Sequence, residues 1–328
     1  MNVRLKKLLT SREFGLLIVF VTICAIVQFF NPLFLTGGVI DQVLRNYSFT
    51  ILMTSGMLMV LLVGGIDISV GSTLALSGMT SALLMRDGVI TQWWMAYLVS
   101  LGVGLVCGLL VGLVVTKGKV LPIIASLGFM YVFRGLTFFI SDGSWVSMVA
   151  LLEDFRDFSQ GTSIGISNLI WIAIIVYILA FIMLKWTKMG RQIYAVGSNP
   201  EAAVVSGIRS DRIKLFAYVF NGALAGISGA MWVGFYAGAQ SNIAEGLELD
   251  IIAACVIGGV SLKGGQGTIP GVLLGALTIA VINRALGLLG IDPFWQQALK
   301  GAVILIAVMS NILIQRRSNR RTLARREI

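Results

Sequence analysis

Apolar residues fill this chain in blocks of about 20, and polar residues gather in the short breaks between them. A helix needs about 20 apolar residues to cross the hydrocarbon core of a bilayer, with a working range of about 17–25. Ten blocks meet or approach that length: 14–35, 47–64, 69–85, 93–116, 120–140, 166–186, 214–238, 249–262, 268–289 and 294–314. Period-two alternation, which a membrane barrel would need, is absent. Backbone amides in lipid must be satisfied within their own segment, so helices are the predicted element. The eighth block is short and reads as tilted, broken or partly re-entrant. If it pairs with a neighbour as a hairpin, the count falls to eight; ten is the expected number. The fold class is therefore an all-α polytopic membrane protein of about 10 transmembrane helices, a single transmembrane domain over 1–328.

Composition agrees with the pattern. Charged residues make up 12% and hydrophobic residues 57%, against about 25% charged in a soluble domain. The net charge of +10 would suggest nucleic acid in a soluble protein. Here it has a different distribution. With the N-terminus on one side and the spans alternating, the basic residues outside the spans share that side, except Arg45, Arg86 and Arg156. Arg134, Arg284 and Lys300 fall within spans. The positive-inside rule then puts both termini in the cytoplasm, with 187–213 a cytoplasmic loop and 315–328 a basic cytoplasmic tail. No nucleic-acid partner is expected. The acids lean outward: Asp41, Asp87, Asp142, Glu153, Asp154, Asp157, Glu245, Glu248, Asp250 and Asp292. The basic N-terminus leads into a run ending FFNPLFL, too bulky for a signal-peptidase site, so the first span is read as retained.

Some chemistry is excluded. With no histidine in the chain, Ser-His and Cys-His catalysis and the commonest zinc ligand are removed. Cys24, Cys107 and Cys255 lie in apolar runs without metal-type spacing and read as packed thiols. No Walker-type loop occurs, so no ATPase site, catalytic residue, metal or cofactor is expected of this chain. The small-xxx-small pairs Gly104, Gly108 and Gly112, Gly222 with Gly226, and Gly271 with Gly275 predict close helix packing.

Three segments carry the functional signal. In YAVGSNPEAAVVSGIRSDRIK, 194–214, Asn199 suits an N-cap, Pro200 the first helical position and Glu201 the positive end of the dipole, with Gly207 as the stop. That frames about two turns, roughly 10 Å, with Ser210 capping the next span. Ala202, Ala203 and Val205 form the expected exposed face, with Glu201, Arg209 and Arg212 at its rim. A protein-docking helix and a plain surface turn both fit. In LLVGGIDISVGS, 61–72, Gly64, Gly65 and Gly71 permit a broken helix and Ser69 or Ser72 can cap the next one. Asp67 there is either a functional intramembrane charge or a cap for the third span. The stretch 245–271 opens with Glu245, Glu248 and Asp250 and closes in a glycine-rich turn around Lys263. GGIDISVG and GGVSLKGG share glycines at matching offsets, too short a likeness to assert a duplication. Trp145, Trp232 and Tyr236 are either pathway linings or interface anchors.

Glu201-Ala202-Ala203, three residues and Gly207 resemble the EAA motif of ATP-binding-cassette importer permeases, although Phe216 stands where many members carry proline. GGIDISVGS, ELDIIAACVIGGVSLKGG and PIIASLGFMYVFRGLTFFISDG resemble the ribose/xylose/arabinose-type sugar permeases of that superfamily, over about residues 30–310. The resemblance implies a vitamin-B12-importer-like (type II) arrangement in a bacterial inner membrane. It also implies a second permease, a periplasmic sugar-binding protein and partner ATPase subunits that hydrolyse the ATP. Glu201, Ala202, Ala203, Gly207 and Arg209 would then form the ATPase-coupling helix. Gly65, Asp67, Ser69, Gly71, Ser72, Glu248 and Asp250 are gate or pathway candidates. Arg134, deep in the fifth span, needs a partner in the bundle, and a structural pairing is expected. An ion-coupled secondary sugar transporter is the alternative. It would want acids or histidines at mid-membrane, whereas the acids here are read at span ends. An intramembrane hydrolase would need an aspartate pair that is not found.

Overall fold

The structure is a computed structural model that describes residues 12–288 and isolated positions between 290 and 309. Most of the predicted span 294–314 lies outside the described residues, as do the tail and Arg4, Lys6 and Lys7. The helices in chain order are α1 (Arg12–Phe30), α2 (Gly37–Leu62), α3 (Val70–Arg86), α4 (Trp93–Thr116), α5 (Pro122–Ser141), α6 (Glu153–Gln160), α7 (Asn168–Trp186), α8 (Lys188–Ser198), α9 (Pro200–Val205), α10 (Ser210–Tyr236), α11 (Leu247–Ile257) and α12 (Ile269–Leu288). A 3₁₀ turn at Met148–Ala150 precedes α6, and a two-stranded hairpin pairs Thr162–Ser163 with Ile166–Ser167.

Among the described residues six helices are long and apolar enough to cross a membrane: α1, α4, α5, α7, α10 and α12. The helix α2 has 26 residues, but its first turns carry Asp41, Gln42 and Arg45, with Arg45 Nε 2.7 Å from Asp41 Oδ2. Hydropathy marked only its apolar part, so it begins ten residues ahead of the predicted 47. The helix α1 stops at Phe30, short of the predicted 35, because Pro32 cannot continue the ladder. The eighth predicted span, 249–262, is an 11-residue helix. At about 16 Å it covers half of a bilayer's hydrocarbon core. The outer helices turn leucine, isoleucine and phenylalanine outward, as at Val106 and Leu110 of α4, Phe139 of α5 and Ile175 and Leu179 of α7. So continuous an apolar surface suits contact with lipid or with another apolar surface.

The bundle forms around α10, most of whose length is buried. Small residues let α4 approach it closely: a Cβ on Gly104 would collide with the Gly222 carbonyl, and one on Gly108 with that of Tyr218. Backbone must yield there, not a flexible side chain. Gly104→Val is therefore expected to lower the melting temperature of the purified protein by several degrees, beyond the about 1–3 kcal/mol of ordinary overpacking. Gly102→Val, at a position with nothing within 4 Å of its Cβ, should leave the melting temperature unchanged.

Contacts also fix helix directions. The helix α10 runs antiparallel to α4 and to α2, where Ser228 meets Phe49, and parallel to α3, where Ser77 meets Gly226. The helices α11 and α12 are antiparallel to each other, with Asn283 at Asp250 and Gly271 at Gly258. Two ends result: the α9 end, with Lys119, Lys188 and Lys263, and the far end, with Asp87, Asp142 and α6.

Candidate functional site: a capped helix, a three-way junction and a polar column

At the α9 end the three segments singled out in the sequence meet. The Leu62 carbonyl accepts the Gly265 amide at 2.9 Å. Gly197 lies against that same pair, so closely that a Cβ on it would collide with Leu62 O and Gly265 N. Gly264 packs on Gly64 and the Gly197 carbonyl. The Tyr194 hydroxyl donates to the Gly267 carbonyl at 2.8 Å, and burial pushes its pKa up. Three turns separated by most of the chain are thereby locked backbone to backbone.

From this junction α9 projects. The Asn199 side chain accepts the Ala202 amide at 3.0 Å, Pro200 takes the first turn and Glu201 sits at the dipole's positive end. Gly207, at φ +78°, closes the helix: its amide reaches the Val204 carbonyl and that of Ile208 reaches Ala203, both at 2.9 Å. The expected face needs correction. Ala203 turns inward and is 4% exposed, part of the main core. The outward face is Glu201, Ala202, Val204 and Val205, the last 90% exposed. Arg209 is exposed before α10, and Ser210 is the first helical residue instead of its cap.

Deeper in, a polar column follows α3 and α10. Asp67 is buried. Its Oδ1 accepts the Ser69 amide at 3.0 Å and hydroxyl at 2.6 Å; its Oδ2 accepts Asn221 Nδ2 at 2.9 Å. Ser69 takes the N-cap position of α3, and Asp67, two residues ahead of it, forms the turn into the helix and ties α3 to α10. Asn221 is about 16 Å along an α10 of about 40 Å, so the carboxylate sits well inside the bundle. Gly65 packs under the Tyr218 ring, whose hydroxyl donates to Ile66 O at 3.3 Å. Ser72 is buried, and its Oγ–H donates to the Ser69 carbonyl at 2.8 Å.

The acids of 245–250 do not form an outer rim. The chain folds back into the bundle over 237–246, with Ala237, Ala244 and Gly246 at positive φ, and α11 starts inside it. A Cβ on Gly71 would strike Glu248 Oε2 and the Ala244 carbonyl. Gly71 lies about 22 Å along α3 from Arg86, so Glu248 is deep. Asp250 accepts Asn283 Nδ2 at 3.2 Å, beside Tyr47, a cluster separate from Asp67. Of this stretch Glu245 alone stays exposed among the three acids. Arg134 Nη1 donates to the carbonyls of Ser241 and Ile243, at 2.9 and 2.8 Å. Its partners are backbone, and they pin the re-entrant segment to α5. Two helix N-termini, of α3 and α11, thus meet inside the bundle, each with carboxylates in or before its first turn, which offsets their dipoles.

Asn221, Tyr218 and Asn283 were missed from sequence. The signal was present: an amide within an otherwise apolar span must find a polar partner. A cleft opens on each side of the column. One of about 210 Å³ at the α9 end is lined by Gly65, Lys119, Pro122, Lys214 and Tyr218. One of about 410 Å³ at the far end is lined by Trp145, Ser147, Trp232, Tyr236, Gln240 and Ile243. Among the described residues no group of three or more His, Cys, Asp or Glu converges to hold a metal.

Comparison with known proteins supplies the lineage. The chain is 38% identical over 295 residues to the ribose import permease protein RbsC of Escherichia coli K12, covering 89% of this chain and 91% of that protein. It is 40% identical over 284 residues to the ribose import permease protein RbsC of Bacillus subtilis 168, covering 87% and 88%. It is 33% identical over 301 residues to the L-arabinose ABC transporter permease protein AraH of Azospirillum brasilense, covering 90% and 86%. No solved structure matches it significantly. Residues 39–308 match the family described as branched-chain amino acid transport system / permease component, and the chain belongs to that family.

Proposed function

We propose that this chain is the membrane-spanning permease subunit of an ATP-driven importer for a monosaccharide of the pentose or deoxyhexose kind. The observation that carries the reading is α9: a fully capped two-turn helix, rooted on the junction of three segments and followed directly by the central helix α10, that presents Val204 and Val205 to solvent. Well-covered relatives are named for ribose and L-arabinose import, which supports a sugar as cargo.

In this reading α9 lies in the cytoplasm and docks on an ATPase subunit, which binds and hydrolyses the ATP. A second permease completes the membrane channel, and a periplasmic binding protein delivers sugar at the far end, where α6 exposes Glu153, Asp154 and Asp157. The membrane is the bacterial inner membrane, with ten spans in a vitamin-B12-importer-like arrangement and both termini inside. Nucleotide-driven closure of the ATPases moves α9. The junction passes that motion to the α2–α3 break and to α11, and the column opens alternately to each side. This chain contributes no catalytic residue and binds no cofactor.

The buried acids favour weighing an ion-coupled secondary transporter. Asp67, however, is satisfied by Ser69 and Asn221. Two experiments separate the readings. The permease should co-purify with a separate ATPase, and uptake should survive a protonophore while ATP is maintained. Uptake that collapses with the ion gradient while ATP stays high contradicts the importer. Reporters fused after Ser198 should read cytoplasm and those within 150–160 periplasm; the reverse result overturns the orientation.

A further inference from the structure

We infer that the far-end cleft between the Trp145 loop and the end of α10 is a low-affinity subsite for a monosaccharide, a step on the path between delivery and the polar column. The inference rests on the sugar-import reading and adds a site to it. The cleft of about 410 Å³ lies within the roughly 300–1,000 Å³ of small-molecule sites. Its walls come from two distant segments held rigidly: Val146 and Ala239 exchange both backbone hydrogen bonds at 3.0 Å. Fixed walls reduce the ordering cost of binding.

The lining has the two features a sugar ring requires. A sugar presents a face of C–H bonds and a rim of hydroxyls. Aromatic faces carry negative charge density that attracts such C–H bonds. Trp232 and Tyr236 pack with centroids 4.7 Å apart, backed by Phe49 at 4.7 Å from Trp232, and Trp145 stands on the other segment, 72% exposed. The Gln240 amide, the Tyr236 hydroxyl and the Trp145 indole N–H bring donors and acceptors to the same lining. An interfacial anchor needs a ring facing lipid; it does not need aromatic residues from two segments lining one cleft together with an amide.

The cleft also leads somewhere. Its floor residue Ile243 is the one whose carbonyl Arg134 holds, next to Ser241, which shares a 2.7 Å hydrogen bond with Ser141. A solute leaving the cleft inward meets the Arg134–Glu248 level. Weak binding suits such a step, since a transit site must release its cargo onward.

The test uses the full-length permease in lipid nanodiscs, titrated with D-ribose, L-arabinose and D-galactose and read by saturation-transfer NMR of the sugar ring protons. At least one sugar should saturate in the millimolar range. Trp145→Ala and Gln240→Ala should each weaken it about tenfold, while Trp145→Phe retains most of the binding. In the assembled importer Trp145→Ala should raise the KM for uptake, and Trp145→Phe should restore it. Trp145 is exposed, so these variants should fold; equal melting temperatures confirm it. If the importer transports one of these sugars and the permease binds none, or binds it equally after Trp145→Ala, the subsite is wrong and the importer reading stands. If the wild-type importer moves no pentose and no deoxyhexose, both fall.

Discussion

Val205→Asp is expected to reduce ATP-driven uptake by more than about 100-fold while leaving the amount of permease in the membrane unchanged. Val205 is 90% and Val204 59% exposed, so neither belongs to the packed core of the described residues. Two valines at the tip of a capped helix stabilise a docked partner by burial, about 1.5–3 kcal/mol each if fully covered. An aspartate in the same groove loses that contribution and must also be desolvated without a partner, several kcal/mol more. Each 1.4 kcal/mol is tenfold in occupancy, so two decades is a modest expectation. Val205→Leu, apolar and of similar size, should retain most of the uptake. Glu201→Ala removes the charge at the positive end of α9, and Gly207→Pro replaces a residue at φ +78° with one locked near −65°; both should lose uptake with insertion intact. Uptake measured in vesicles, with membrane levels checked by immunoblot, decides the matter. Normal transport by Val205→Asp and Gly207→Pro together removes α9 from the coupling.

Gly197→Ala is the second variant with a large expected effect, and it acts by a different route. One methyl group would occupy the space of the Leu62 carbonyl and the Gly265 amide, which bond to each other at 2.9 Å. The added carbon must break that bond or push α8 off the end of α2. Backbone has no alternative rotamer to adopt, so the cost exceeds the about 1–3 kcal/mol of side-chain overpacking. Both stability and transport should fall: a lower melting temperature in detergent, and uptake down by more than about tenfold. Gly128→Ala, on α5 with nothing within 4 Å of its Cβ, is the control and should be neutral or slightly stabilising by helix propensity. An unchanged melting temperature for Gly197→Ala would mean that the junction is not a rigid joint.

Much of the helical layout was legible in the sequence because lipid sets a length and an apolarity that few other segments share. The predicted 93–116 coincides with Trp93–Thr116, and 120–140 and 166–186 differ from Pro122–Ser141 and Asn168–Trp186 by one or two residues. The frame of α9 was also legible, since Asn199, Pro200, Glu201 and Gly207 each act through their own local backbone. Its inward residue was not. Six residues are too few for periodicity to define a face, and Ala203 is small enough for either environment.

The depth of Glu248 and Asp250 was hidden for another reason. A carboxylate beside an apolar run reads as a loop in any hydropathy window. Only the fold-back of 237–246 and the contacts of Gly71 and Asn283 carry it inside. Asp67 was flagged by its neighbours Gly64, Gly65 and Gly71, but its tie to Asn221 spans 154 residues and leaves no local trace. The three-way junction is of the same kind: each glycine looked like a turn, and their meeting is tertiary.

In the proposed mechanism α9 is the point at which a separate ATPase grips this permease from the cytoplasm. A photo-crosslinking amino acid placed at Val205 in the assembled importer would identify the partner it captures, with and without ATP. The mechanism predicts a covalent adduct with the ATPase subunit whose yield changes with nucleotide. Capture of lipid or of no protein at all, or labelling of that position by a membrane-impermeant reagent applied from the periplasmic side, would contradict it.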